Sequence, residues 1–134
     1  MMLYDRGTGW FDWEFPNFRN RCSYICDFPF NVVEALIEYF KTGEPQSVEF
    51  DAEGWFYVFK FDSNVSVGET ILYDDIYEFA DDFVSELEES LESWSHFPSH
   101  RQSDDDYKEL VDGIVKIRLE LMDNELLKKW VQLV

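Results

Sequence analysis

The densest group of chemically active side chains is the run of residues 74–92, DDIYEFADDFVSELEESLE, which holds nine carboxylates and no Lys or Arg. Paired carboxylates can act as general acid and base or bind a magnesium ion. Catalytic carboxylates need a cleft that perturbs their pKa values. Asp74 and Asp75, like the acidic run 104–106, instead fall at predicted helix starts, where capping explains them. We therefore predict no catalytic residue and no metal site among these carboxylates.

Two cysteines and two histidines are the second group that could carry chemistry. Cys22 and Cys26 have the spacing C-x3-C, and His96 and His100 the spacing H-x3-H, so together they could form a Cys2His2 zinc site. Pro98 argues against it, because it keeps the two histidines from sharing one helical face. A cysteine nucleophile is also disfavoured, since an acidic field raises a thiol pKa. We expect two reduced, packed thiols and two solvent-facing loop histidines.

Sequence motifs of the common enzyme classes are absent. The chain has no P-loop, no Gly-rich dinucleotide-binding turn, no G-x-S-x-G and no H-E-x-x-H. We therefore predict that the protein is not an enzyme and that it uses no cofactor.

The overall charge restricts the kind of partner. The formal net charge is −18, from 11 Lys and Arg against 29 Asp and Glu. A field of this sign repels nucleic acid and anionic lipid and attracts cationic proteins. We predict a basic protein as the partner, with no direct nucleic-acid binding and no membrane binding.

Length and composition indicate one folded domain over residues 1–134. Hydrophobic residues make up 46 % of the chain, and 13 Phe, 7 Tyr and 5 Trp fit a packed core rather than a disordered acidic tail. Asp5, Asp12 and Glu14 interrupt any secretory apolar segment. No apolar run approaches the roughly 20 residues that span a bilayer. We expect a cytoplasmic protein.

The periodicity of apolar residues predicts an α+β fold, an antiparallel sheet of three to four strands with three to four packed helices. Strands are predicted at 9–15, 47–51, 55–62 and 69–74, with a turn at 52–54, a polar connection over 63–69, and a short strand or a loop at 21–28. Helices are predicted near 31–42, from 74 to about 95, from 103 to about 121, and briefly after Asn124. Asn31 and Glu34 resemble a capping box.

The predicted helix at 74–95 separates charge from apolar residues. On a helical wheel, apolar residues fill a little under half of the circumference and every carboxylate lies in the other arc. Residues 61–100 contain eleven acidic residues and no Lys or Arg, whereas surfaces built for solubility usually mix the two signs. The charge is either a solvated face or an interface for a basic surface. We predict an interface that contains Asp75, Glu78, Asp82, Glu86, Glu88, Glu89 and Glu92.

Exposed aromatic residues are candidates for the anchors of such an interface, because Trp and Tyr are enriched at binding hot spots. Strand alternation places Phe11, Trp13 and Phe15 on one face and Trp10 on the other. We predict that Trp10 is partly exposed and belongs to the partner-binding residues.

Two kinds of basic surface fit the acidic face. Carboxylates three or four residues apart on a helix stand roughly 5 to 6 Å apart, which is comparable to the spacing of phosphates along a strand. The face could therefore imitate nucleic acid in the groove of a nuclease or another nucleic-acid enzyme. It could equally cover a cationic toxin with a different target.

A strongly acidic, aromatic-rich α+β domain with a meander such as SVEFDAEGWFYVFKFD beside an acid-faced helix resembles the immunity proteins that bacteria carry against polymorphic or contact-dependent growth-inhibition toxins. The resemblance implies that the protein binds a cognate toxin, often a nuclease, in the cytoplasm and blocks it. Inhibitory nucleic-acid mimics of phage, including anti-restriction and anti-CRISPR proteins, share the same traits and are the alternative.

Overall fold

Two antiparallel sheets and four α-helices make up the described part of the chain, residues 1–7, 9–24, 26–51 and 56–133 of a computed structural model. The predicted α+β class is confirmed. The strands are β1 Met2–Asp5, β2 Trp10–Phe15, β3 Phe18–Ser23, β4 Gln46–Asp51, β5 Phe56–Phe61, β6 Val65–Val67 and β7 Thr70–Tyr73. The helices are α1 Phe30–Thr42, α2 Ile76–Glu88, α3 Leu91–Ser95 and α4 Asp104–Leu133.

Each sheet is a meander of neighbouring strands. The first sheet has the order β1-β2-β3 and the second the order β4-β5-β6-β7. In β5, which lies between β4 and β6, Phe59 and Phe61 are buried while Phe56 and Val58 are exposed. The predicted hairpin of β4 and β5 is confirmed by their antiparallel register, and its turn at 52–54 lies outside the described residues.

The core is centred on Trp13 of β2, which is fully buried. Its ring stacks on Phe59 of the second sheet, with ring centroids 4.9 Å apart and planes 11° from parallel. It also contacts Phe83 of α2 at 5.4 Å and Phe28 before α1 at 5.4 Å. One aromatic side chain therefore joins both sheets to α2.

The prediction of one sheet was wrong, because the strands form two. Helix α1 separates β3 from β4 in the chain, and each sheet then pairs only sequential strands. The segment 63–69, predicted as a polar connection, contains β6, in which Val65 is buried. The serines and the glycine of this segment are typical of a loop, and a strand of only three residues is too short to show a clear alternation. The strand β1 was not predicted either.

Three predicted helix features were also wrong. Asn31 lies inside α1, which begins at Phe30 without a side-chain cap, so there is no capping box. The helix predicted from 74 to 95 ends at Glu88, because Ser90 has φ −151° and ψ 58°. Apolar spacing continues through this break and therefore could not reveal it. Residue Asn124 does not interrupt α4, which runs for 30 residues.

Helix α4 crosses α1 at a glycine. A Cβ atom on Gly113 would lie 2.5 Å from Cγ1 of Val33, closer than real Cβ contacts allow. The absence of a side chain at Gly113 thus sets how closely the two helices approach.

No helix in the described ranges combines the length and apolarity needed to cross a bilayer.

Replacement of this glycine by alanine should destabilise the fold, although alanine is the better helix former by about 1 kcal/mol. We expect Gly113→Ala to lower the free energy of unfolding by about 1 to 3 kcal/mol through overpacking against Val33. In a Val33→Ala background, which removes the clashing methyl group, the same substitution should be neutral or stabilising. Urea unfolding of the four proteins measures this coupling. Equal destabilisation in both backgrounds would contradict the account.

Candidate functional site

Helix α2 carries the carboxylates that the sequence singled out. Asp75 begins the helix, since its side chain accepts a hydrogen bond of 2.9 Å from the Tyr77 amide. Six apolar side chains turn into the core and hold the helix there: Ile76, Phe79, Ala80, Phe83, Val84 and Leu87. The acids of α2 are left on the opposite arc, as the helical wheel predicts.

The acidic arc divides into two flanks with different electrostatics. On the flank that faces α4, Arg118 donates to Asp81 at 2.6 Å and to Glu88 at 2.7 Å. Its guanidinium also donates to the Ser85 hydroxyl at 3.1 Å. Burial alone would lower the pKa of Arg118, but the bonds to Glu88 and Asp81 outweigh it and raise that pKa. A cation from another helix therefore offsets part of the negative charge of this flank.

The other flank carries five carboxylates in one row, which we call the acidic stripe. The spacing of its members is 3, 4, 4 and 3 residues, so at 100° per residue they share one side of the helix and extend over about 21 Å. The acidic stripe consists of Asp75, Glu78, Asp82, Glu86 and Glu89.

Only uncharged donors of this chain contact the acidic stripe in the described ranges. The Tyr73 hydroxyl of β7 donates to Asp82 at 2.7 Å. The Leu3 amide of β1 donates to Glu86 at 3.3 Å. Within the same ranges, no ion pair or hydrogen bond reaches the side chains of Glu78 or Glu89, which are both exposed. The acidic stripe keeps its negative charge.

The pKa shifts report the same environment. Partial burial raises the pKa of Glu86, and the charges of Glu89 and Asp82 raise it further, while the Leu3 amide and the N-terminal ammonium oppose the rise. Burial, followed by the hydrogen bond to Asp82, raises the pKa of the Tyr73 phenol well above its usual value. Tyr73 thus stays protonated at neutral pH and donates its hydroxyl hydrogen bond to Asp82.

The remaining predicted partner-binding residues lie elsewhere. Glu88 belongs to the flank that Arg118 contacts. Glu92 lies on α3, beyond the helix break, where it lines a shallow cavity of about 420 Å³ with His96, Tyr107 and others. Trp10 begins β2 and is half-buried, consistent with the predicted partial exposure. The structure therefore brings five of the eight predicted residues into one row and leaves three outside it.

Cys22 and Cys26 are both buried, and neither histidine joins them. The Cys26 thiol donates to the Asp51 carbonyl at 3.2 Å. The pKa of Cys26 is lowered to about 7, chiefly by a hydrogen bond with Cys22 that outweighs burial. The expected rise in thiol pKa was wrong here, because a neighbouring thiol acts more strongly than the distant acidic field.

The histidines contact other parts of the chain. Nδ1 of His96 is 3.1 Å from the Arg101 carbonyl oxygen, and His96 is partly buried rather than solvent-facing. Nε2 of His100 is 3.1 Å from Asp27. Across the residues with described positions, no group of three or more His, Cys, Asp or Glu could hold a metal ion.

Sequence reasoning missed the role of the arginines. Each of the five is in an ion pair: Arg6 and Arg21 with Asp12, Arg19 with Glu14, Arg101 with Asp27, and Arg118 with Asp81. The pKa of Arg101 is raised by its bonds to Asp27, and its guanidinium lies 3.6 Å from the Phe30 ring centroid. The arginines thus pair with acids of the fold, and none of them contacts the acidic stripe.

The raised pKa of Glu86 predicts a pH-dependent stability effect. Because the folded pKa exceeds the unfolded one, the folded state binds more protons between the two values and loses stability as pH rises through them. Glu86→Gln removes this penalty and can still accept the Leu3 amide. We expect the variant to be more stable than the wild type in urea unfolding at pH 7, with a smaller gain below about pH 4.

Glu78→Gln is the matched control, since it removes one charge from the exposed part of the same stripe. It accounts for the general relief of repulsion. If Glu86→Gln gained no more stability than Glu78→Gln at pH 7, partial burial of Glu86 would not be the cause.

Comparison with known proteins identifies no relative of this chain. No protein-family model matches it, and no curated protein and no solved structure shows significant similarity to it.

Proposed function

We propose that the protein binds and neutralises a basic protein, and that it is an immunity protein which blocks a cognate bacterial toxin such as a nuclease. The observation that carries this proposal is the contrast between the two flanks of α2. Arg118 pairs with Asp81 and Glu88, whereas among the described residues the side chains of the acidic stripe accept hydrogen bonds only from a tyrosine hydroxyl and two backbone amides.

Unbalanced carboxylates in a row are costly for an isolated domain, because like charges three or four residues apart destabilise a helix. A cationic partner would relieve that repulsion on binding. The long-range field of a chain with net charge −18 would also steer such a partner and accelerate association. The stripe therefore suits a partner that must be captured quickly.

Apolar contact area is available next to the stripe on β1. This strand is the edge of the first sheet, and its Leu3 amide is the donor to Glu86. Met2 and Tyr4 flank Leu3, and both are exposed. A partner on the acidic stripe would also contact these two side chains. They would supply apolar contact area, shielded from water, beside the stripe.

The proposal is tested by affinity capture from a lysate of the native host with three forms of the protein. The wild type should retain one stoichiometric basic protein that high salt releases. Glu78→Lys with Glu89→Lys should lose most of it, since both side chains are exposed and no described contact of the fold uses them. Glu38→Lys with Glu44→Lys makes the same charge change outside the stripe and should retain it.

Other outcomes would overturn the proposal. Retention of the partner by the stripe variant would show that the contact lies elsewhere. Loss by both variants would make net charge, rather than the stripe, responsible. No specific retention by the wild type would mean that the acidic face is solvated only. Growth rescue then tests immunity directly, since co-expression should protect cells from the captured protein.

Nucleic-acid mimicry is the second candidate function, favoured by the rise of about 6 Å between successive carboxylates four residues apart. A mimic occupies the nucleic-acid site of its target. A short duplex DNA or RNA should therefore compete with this chain for the captured protein and release it, whereas a toxin with another target should stay bound to this chain at equal ionic strength. A gene directly downstream of a large toxin gene would favour immunity, and one in a phage cluster would favour mimicry.

A further inference from the structure

An exposed apolar row runs along α4 from Val115 to Leu133, on the side away from the body of the protein. Its side chains are 50 to 85 % exposed. The spacing is 4, 3, 4, 4 and 3 residues, an eleven-residue repeat with a period of about 3.67, so the row stays on one face of a nearly straight helix. This outer apolar row consists of Val115, Leu119, Met122, Leu126, Trp130 and Leu133.

The row is distinct from the face by which α4 joins the fold. Leu110, Ile114 and Ile117 are buried in the core, and Gly113 lies against α1. At 100° per residue, this buried face points roughly opposite to the outer apolar row. Beyond Leu121, which still packs against the core, the helix projects away from the body. The row therefore has no partner in the described part of this chain.

The exposed area is large for a surface in water. The row exposes on the order of 700 Å², above the largest apolar patch of a typical monomer. A helical segment of twelve residues is also marginal by itself in water. Both arguments favour an interface on this face.

The charge of the C-terminal part of α4 distinguishes between the kinds of partner that could cover the outer apolar row. Residues 113–134 carry four cationic and three anionic side chains, whereas residues 1–112 carry seven and 26. A basic protein or a nucleic acid would find no complementary field on the nearly neutral end of α4. A second copy of the same segment would meet it without repulsion, although the two bodies repel each other.

We propose that the outer apolar row pairs with the same row of a second copy, in an antiparallel helix dimer centred near residue 124. In this arrangement Val115 meets Leu133 of the second copy, and Met122 meets Leu126 of the second copy. The acidic bodies lie at opposite ends of a contact of roughly 27 Å. A parallel arrangement would set two bodies of strong negative charge side by side.

The area agrees with a dimer of modest strength. Two rows facing each other bury about 1,000 Å² in total, at the lower limit of specific interfaces. Trp130 is 66 % exposed and lies within the row, so it is the expected anchor. The dimer leaves the acidic stripe of α2 free and does not depend on the function proposed above.

Sedimentation equilibrium over the micromolar range tests the dimer. The wild type should be dimeric, and Leu126→Asp should weaken the dimer by at least about tenfold, because it puts a charge into the apolar row. Gln132→Asp adds the same side chain on another side of the same helix and should remain dimeric. Circular dichroism shows whether either variant loses helix.

A monomeric wild type, or equal weakening by both variants, would overturn the proposal. If the wild type is monomeric and Leu126→Asp alone loses a protein captured from the host lysate, the row binds a different protein instead of a second copy.

Disulfide trapping tests the direction of pairing. In the antiparallel dimer, Cys introduced as Asp123→Cys lies about 3 Å along the axis from its copy and should form a cross-link. Lys116→Cys lies about 24 Å from its copy and should not. Cross-linking by both variants would contradict the antiparallel arrangement and show parallel pairing.

Discussion

Aromatic packing around Trp13 is the interaction on which the rest of the structure depends. Its ring stacks on Phe59 of the second sheet and contacts Phe83 of α2, so sheets and helix meet at one buried side chain. The Trp13 indole N–H has no hydrogen-bond partner in the described part of the chain. An unpaired buried donor costs about 1 to 3 kcal/mol. At Trp13, packing of the ring therefore takes precedence over a hydrogen bond to the indole. A core of this kind can hold α2 in place against strong repulsion on its outer face.

The acidic surface follows from that anchoring. The apolar side of α2 is fixed in the core, and its carboxylates consequently cannot separate by unwinding the helix. The two flanks of α2 differ in their contacts. Arg118 pairs with carboxylates on one flank, and only neutral donors contact the other. All five arginines are engaged in ion pairs elsewhere, so no arginine contacts the acidic stripe, and a row of carboxylates without a cationic side-chain contact among the described residues is the property that a cationic partner would recognise.

Periodicity predicted most of the elements because it reports which residues face the core. The strand Trp10–Phe15, the β4 and β5 hairpin and the apolar face of α2 all follow from alternation or helical spacing. Features that interrupt the backbone without interrupting the apolar period stayed hidden. The break at Ser90 is one example, because Leu87, Leu91 and Trp94 keep helical spacing across it.

The candidate site was predicted in part for a related reason. The sequence shows which carboxylates share a helix, but not which distant side chains come to meet them. Arg118 lies 30 residues from Glu88 in the chain, and the Leu3 amide lies 83 residues from Glu86. Only the tertiary fold reveals that Glu88 pairs with Arg118 and that, among the described residues, the side chains of Glu78 and Glu89 form no ion pair or hydrogen bond.

The most direct measurement is the rate of association with the captured partner as a function of ionic strength, for the wild type and for Glu78→Lys with Glu89→Lys. If the stripe steers the partner, the wild-type rate should fall steeply with salt, the variant should start lower and fall less, and the two should converge at high salt. Parallel curves with the same slope would contradict the account, because the charge that steers the partner would then lie outside the stripe.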